Sequence, residues 1–259
     1  MGIDFHDPKN SRTYTMRIAD KTWMEAIKDL IPVQHIKSAV DIGCGGGIYT
    51  KALADMGAGS VTGVDFSHAI LEGTREHYKD VKNMTFKYGD AFDTALDSDS
   101  YHLVLERALI HHVEDLLSCF QEVYRLLKNG GYYILQDRTP EDCLLEGDNT
   151  HIRGYCFELF PRLMEREVSR RHKSQFVIRM LKEAGFNQIE EVKLWEIRKV
   201  HTDKQKLQQD LSERTGRSIL HELNEEELDM LLAYIDRKLP ANEKIYEKDR
   251  WTIWKAEKS

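Results

Sequence analysis

Asp41, Gly43, Gly45 and Gly47 stand at alternate positions in "VDIGCGGGIYTKAL", residues 40–53, where an apolar run meets a glycine turn and then a helical period. Glycine has no Cβ and tolerates positive φ, so such a turn lets a ligand approach the backbone closely. The helix that follows offers its first amides to polar ligand groups. A dinucleotide fingerprint wants glycine at the first, third and sixth positions, but counting from Gly43 gives Gly45 and then Ile48. The spacing therefore argues against a nicotinamide dinucleotide. For the glycines alone, a tight strand-to-helix turn with no ligand remains the alternative.

Further along, "SVTGVDFS" ends in Asp65, whose carboxylate could accept both hydroxyls of a ribose, with Phe66 beside it as a ring face for a purine. The competing role for Asp65 is a helix cap, for which Ser67 is also available. "YGDAFD" then brings Asp90, a possible acceptor for an adenine amine, and Ala91, small enough to leave room for the ring, although aspartates at strand ends are common turn formers. Taken in order at successive strand ends, these groups converge on an adenosine.

"ERALIHHVED" adds Glu106 and Arg107 at a strand tip, with His111 and His112 one turn later. Histidine titrates near neutrality and could take a proton from an oxygen or nitrogen nucleophile, or only orient it. Beyond residue 138, Arg138, His151, Arg153, Tyr155, Arg214, Arg217 and His221 gather in segments without a long apolar stripe. The guanidinium fork suits carboxylate or phosphate, which makes Arg153, Tyr155 and Arg217 the candidates for holding a small anionic or strongly polar acceptor. Solvated arginines paired to Glu213 and Glu222 are the alternative.

The elements that must position these residues follow from hydrophobic period. A helix spans about residues 15–30, and strand-like runs recur in "SAVDIG", "SVTGVDF", "MTFKYG", "YHLVLE" and "GYYILQD", with helical segments at about 48–57, 67–80 and 114–128 between them. This alternation predicts an α/β protein with a doubly wound, mostly parallel sheet. Residues 139–171 lose the strand rhythm and read as a helical excursion. A helix near 174–185, a strand near 187–200, charged helices over 203–239 and a strand over about 245–256 complete the chain. One domain of 1–259 is expected, with an N-terminal helical cap (1–36), a cofactor-binding core (37–138), helical lid insertions (139–171 and 203–239) and the remainder of the core (172–202 and 240–259).

A net charge of −7 argues against a general binder of the phosphate backbone, so nucleic acid is an unfavoured partner. No apolar run approaches the roughly 18 residues of a membrane span, and the polar start lacks the apolar core of a signal peptide. A cytoplasmic protein is expected. Cys44, Cys119, Cys143 and Cys156 form no CxxC pair, which suggests reduced thiols and no metal site.

Over residues 38–138 the set resembles the class I S-adenosylmethionine-dependent methyltransferase superfamily, in its small-molecule branch. "VDIGCGGG" is similar to that family's first motif, "GVDFS" to its ribose-binding acidic position and "GDAFD" to its adenine-contacting position. One departure is His102, where the family usually has an aspartate. The resemblance implies a seven-stranded sheet with an antiparallel last strand and S-adenosylmethionine as cofactor, with S-adenosylhomocysteine as product. It assigns Asp41, Gly43, Asp65, Asp90 and Ala91 to the cofactor, joined by Gly45, Phe66 and Arg107. Tyr14 and Arg17 resemble residues that close over the methionine end in related enzymes. The implied activity is in-line methyl transfer to a small molecule. A methyltransferase acting on tRNA or protein, and a catalytically idle binder, are the alternatives.

Overall fold

In the computed structural model, which describes residues 18–214, 217–240 and 243–259, the central parallel strands bury both of their faces. Strands β1 (Ser38–Ile42), β2 (Ser60–Asp65), β3 (Met84–Tyr88), β4 (Tyr101–Arg107) and β5 (Leu127–Asp137) pair in parallel, with β6 (Asn187–His201) and β7 (Ile245–Glu257) completing the sheet. The order is β3-β2-β1-β4-β5-β7-β6. β7 runs antiparallel to β5, with Trp254 opposite Leu135, as the resemblance implied. Ile253 joins the core on one face of the sheet while Trp254 and Ala256 join the core on the other. The alternation of β7 thus serves two buried faces.

Residues one apart divide between two apolar cores, because successive side chains on a strand point to opposite faces. Val40, Val104, Tyr133 and Leu135 pack with Phe120 and Val123 of α4 (Leu116–Leu126) and with Val177 and Leu181 of α8 (Ser174–Glu183). Ala39, Leu103, Leu105 and Ile134 pack instead with Trp23 and Ile27 of α1 (Lys21–Leu30) and with Leu53 of α2 (Ile48–Asp55). Each fully buried Leu, Ile or Phe contributes roughly 1.5–3 kcal/mol. Caps fix where these helices begin: Asp20 accepts from the amide of Thr22 and Asp115 from that of Ser118. His102 stays structural, its Nδ1 lying 2.8 Å from Ser38 Oγ at the start of β4.

The described chain separates into two compact units. One comprises residues 18–137, 172–194 and 252–259, and also holds α3 (His68–His77). The other comprises 138–171 and 195–251 and carries α5 (Pro140–Cys143), α6 (Gly154–Leu159), α7 (Arg162–Ser169), α9 (Lys204–Ser212) and α10 (Glu225–Lys238). The second unit has its own core, in which Tyr155, Phe157, Leu207, Leu220, Leu231 and Ile235 are buried together. The division falls within β6 and β7, so residues 195–202 and 243–251 belong with the helical segments. Sequence period alone placed them in the sheet core, because it reads strands and not where a strand changes neighbours.

Glu106, at the carboxyl end of β4, is fully buried and accepts from Tyr133 Oη and from Cys119 Sγ. Burial pushes its carboxyl up to about 7, against the lowering effect of these hydrogen bonds. The folded state therefore keeps a proton that the unfolded chain, with an ordinary value of 4.5, releases earlier. Stability from this group falls as pH rises from about 4.5 to 7, by roughly 3 kcal/mol in all. Glu106→Gln should remove that loss, so its stability relative to the natural protein should increase between pH 5 and pH 8 in urea unfolding. A pH-independent difference would show that Glu106 is ionised in the fold.

Candidate active site

Five parallel strands end side by side, and their carboxyl ends carry most of the residues singled out above: the glycine turn after β1, Asp65 on β2, Asp90 after β3, Arg107 on β4 and Asp137 on β5. In open α/β sheets this edge forms the ligand crevice.

The glycine turn is tied down from within. The amides of Gly43 and Cys44 both donate to Val64 O, at 2.8 and 3.0 Å, and Gly45 N donates to Asp65 Oδ2 at 2.9 Å. Gly47 sits at φ 75° with Thr74, Tyr78 and Phe86 packed so closely that an added Cβ would lie 2.8–3.1 Å from them. Gly45 is the opposite case: at φ 49° an added Cβ would meet nothing within 4 Å. The turn is thus packed on its inner side by Gly47 and bare at Gly45, which suits a ligand lying against the backbone.

Asp41 is buried behind this turn, and Thr50 Oγ1 donates to its Oδ2 at 2.6 Å. Burial raises its carboxyl to about 7, while Thr50 and the Arg107 charge act in the opposite direction. Asp65 is buried as well, and its two oxygens accept from Gly45 N and Ser67 N, both at 2.9 Å. Ser67 is the residue that caps α3 through its side chain. Asp90 is exposed and closes a turn by accepting from Phe92 N and Asp93 N through Oδ1; Ala91 beside it is buried. Phe66 and Phe92, next to these carboxylates, are 44% and 49% exposed.

Arg107 lies 4.2 Å over the ring of Tyr49, and its Nε donates to Gln136 Oε1, which also accepts from Trp23 Nε1 at 2.7 Å. The next residue, Ala108, takes φ 53°, an uncommon angle for a residue with a Cβ. The chain thereby turns out of β4 into a short three-ten turn, Ile110–His112, that carries both histidines. His172 braces this turn, its Nε2 lying 3.0 Å from the carbonyl oxygens of Ile110 and Val113.

His111 Nδ1 lies 2.8 Å from Asp137 Oδ2 and the His111 amide donates to the same oxygen at 3.2 Å. An ionised carboxylate only accepts, so Nδ1 carries a proton, and in the neutral ring it is Nε2 that presents the lone pair. The His112 ring is 4.0 Å away and tilted. Asp137, Thr50 and Gln136 were missed by sequence reasoning. Asp137 had a signal, since "GYYILQD" ends a strand at the same edge as Asp41 and Asp65, but its partnership with His111 is visible only once β4 and β5 are paired.

Tyr14 and Arg17 lie outside the described residues. Within the helical unit, Arg153 and Arg217 line one small cavity together with Arg198, Glu247 and Asp249. Arg217 donates to both oxygens of Glu247, at 3.1 and 2.6 Å, and to Asp210 Oδ2 at 2.6 Å. Arg153 Nη2 forms an ion pair with Glu167 at 2.9 Å. Tyr155 is a core residue of α6, edge-on to Tyr234.

Residues 40–135 match the family model of a methyltransferase domain. Demethylmenaquinone methyltransferase of Staphylococcus epidermidis is 32% identical over 116 residues, 44% of this chain and 48% of that protein. The chain thus spans about half the length of the curated relatives it matches. Among solved structures, a protein of Anabaena variabilis aligns with a TM-score of 0.68 at 20% identity, covering 92% of this chain and 98% of that one. Phosphoethanolamine N-methyltransferase 2 of Haemonchus contortus, in complex with S-adenosyl-L-methionine, aligns with a TM-score of 0.59 at 19% identity over 99% of this chain and 60% of that one. These structural likenesses concern the fold. Among the described residues no helix is long and apolar enough to cross a membrane.

Proposed function

We propose that this chain, a member of the class I S-adenosylmethionine-dependent methyltransferase superfamily, transfers a methyl group from S-adenosylmethionine to a small polar or anionic molecule. The observation that carries this reading is the His111–Asp137 pair, which stands on the same sheet edge as the bare glycine turn and the carboxylates of Asp41 and Asp65. This pairing supports His111 as a proton acceptor beside the edge where a nucleoside would be held.

The donor supplies a sulfonium-activated methyl group, so the protein's tasks are proximity, orientation and exclusion of water. Asp41 receives the ammonium of the methionine end and Arg107 its carboxylate, while Tyr14 and Arg17 are assigned to that end by the sequence resemblance alone. Gly43 and Gly45 admit the donor to the backbone, Asp65 takes the ribose hydroxyls, Phe66 lies against the purine, and Asp90 with Ala91 accepts the adenine amine. His111 takes the proton that a nucleophilic oxygen or nitrogen must lose, and His112 flanks it. Of the three residues expected to hold the acceptor, Arg153, paired with Glu167, stays the candidate contact, whereas Arg217 is spent on Glu247 and Asp210 and Tyr155 packs in the core of its unit.

Asp65→Ala should weaken S-adenosylhomocysteine binding by about 1.5–3 kcal/mol, the range for a hydrogen bond to a charged group. Calorimetry on the purified variant measures it. Unaltered affinity would remove Asp65 from the ribose site, and unaltered affinity together with a lower melting temperature would restrict it to bracing Gly45 and Ser67. For the activity itself, the protein is incubated with methyl-labelled donor and fractionated small molecules, and the labelled species is identified. Label appearing only in tRNA or protein would overturn the small-molecule reading.

A further inference from the structure

We infer that Gln136 is a positioning residue for the methyl donor: its side-chain amide, oriented in turn by Trp23, sets the plane in which the Arg107 guanidinium meets the carboxylate of the methionine end. The inference rests on the function proposed above, which assigns Arg107 to that carboxylate.

Arg107 and Gln136 are register partners across β4 and β5, so their side chains leave the same face of the sheet. Leu105 and Ile134, two residues earlier on each strand, pack that face against α1 and α2, among Trp23, Ile27 and Leu53. Gln136 is wholly buried there. A buried amide in an apolar layer costs free energy unless its polar atoms are paired. Here the amide oxygen takes two donors, Trp23 Nε1 at 2.7 Å and Arg107 Nε at 3.2 Å, which uses both of its lone pairs. The buried indole is itself edge-on to Tyr49, with ring centroids 4.7 Å apart, and the Tyr49 ring lies 4.2 Å from the Arg107 guanidinium. Residues of α1, α2 and β5 thus converge on one guanidinium at the tip of β4.

Satisfying the indole alone would use one lone pair of the amide; the second fixes Arg107. An arginine at a strand tip ordinarily carries its charge on a flexible stem. With Nε on Gln136 and one face on Tyr49, the plane of the guanidinium is set, and with it the direction of both Nη groups. A fork held in this way loses less entropy when it forms parallel hydrogen bonds to a carboxylate. Asp41, opposite Leu105 on β1, leaves the same face of the sheet. A cation and a carboxylate therefore stand on one face, as a zwitterionic amino-acid group requires.

Calorimetry with the full chain would compare S-adenosylhomocysteine with its decarboxylated form, which keeps the nucleoside and the ammonium and lacks only the carboxylate. Arg107→Met should weaken the first ligand by about tenfold or more, the effect of losing a charge-assisted hydrogen bond, and should not weaken the second. Gln136→Met, similar in size but without the acceptor, should show the same selective loss at about threefold to tenfold. The double variant should bind no worse than Arg107→Met alone, because Gln136 acts through the guanidinium. A merely structural amide would instead weaken both ligands together. Trp23→Phe, which keeps a buried ring and removes the donor that orients the amide, should repeat the selective loss and replaces Gln136→Met if that variant does not fold. Equal weakening of both ligands, additive losses in the double variant, or natural affinity in Gln136→Met would overturn the inference. S-adenosylhomocysteine failing to bind the natural protein would defeat the methyltransferase reading and this inference with it, whereas binding that Arg107→Met leaves intact would overturn the inference alone.

Discussion

His111→Ala should lower kcat by about 10²- to 10⁴-fold, the usual contribution of a positioned general base, while leaving donor affinity unchanged. The expectation follows from the 2.8 Å contact between His111 Nδ1 and Asp137 Oδ2, which fixes the ring and directs Nε2 away from the carboxylate. Asp137→Asn should reproduce much of the loss, because an amide can donate to Nδ1 and so favour the tautomer whose Nε2 carries the proton. The two variants separate a base from a structural histidine. A base removes the acidic limb of the pH profile of kcat along with the rate, whereas loss of the turn that His172 braces should lower thermal stability and leave the shape of the profile intact. Measured once an acceptor is identified, natural kcat in His111→Ala would exclude proton removal by this residue and leave the acceptor to arrive already deprotonated.

The sheet was legible because its signals are local. Apolar runs of five to seven residues define β1 to β4, the first three with glycine or aspartate at their ends, and the same short runs place Asp41, Asp65 and Arg107 at one edge once crossovers are right-handed. The antiparallel β7 was implied by resemblance alone, since alternation in "RWTIWKA" identifies a strand but not its direction. Pairings across distant sequence were not legible. Asp65 was read as a ribose acceptor, and nothing in "GVDFS" shows that its carboxylate also holds Gly45 N. Asp137 lies 26 residues from His111, and only the register of β4 against β5 brings them together. The same limit applied to the helical unit, where period suggested charged, solvated helices. The arginines there instead surround buried carboxylates, and Glu167, although burial alone would raise it, is held far below the usual carboxylate range by Arg153, Arg171 and Arg138.

Arg217→Met should destabilise the helical unit by about 3–5 kcal/mol, the range for breaking a buried ion pair from one side. Arg217 is 6% exposed, and its loss would leave Glu247, which is 4% exposed, without two of its hydrogen bonds and Asp210 with Lys199 alone as its side-chain donor. Arg198 stands 3.4 Å from Glu247 and His201 stands 3.2 Å from it, so part of the charge remains compensated and the lower half of the range is the better expectation. A thermal scan should show the transition falling by roughly 6–15 °C, given the usual 2–4 °C per kcal/mol for a chain of this size. Adding Glu247→Gln to Arg217→Met should restore part of the loss, because the penalty comes from the stranded charge and not from the missing contact area. Acceptor binding predicts a different pattern for the same residue: KM rises in Arg217→Met at unchanged melting temperature, since a contact made equally in ground and transition states affects binding alone. A lowered transition rescued by Glu247→Gln would make Arg217 the clamp of this unit; an unshifted transition with raised KM would instead make Arg217 an acceptor contact.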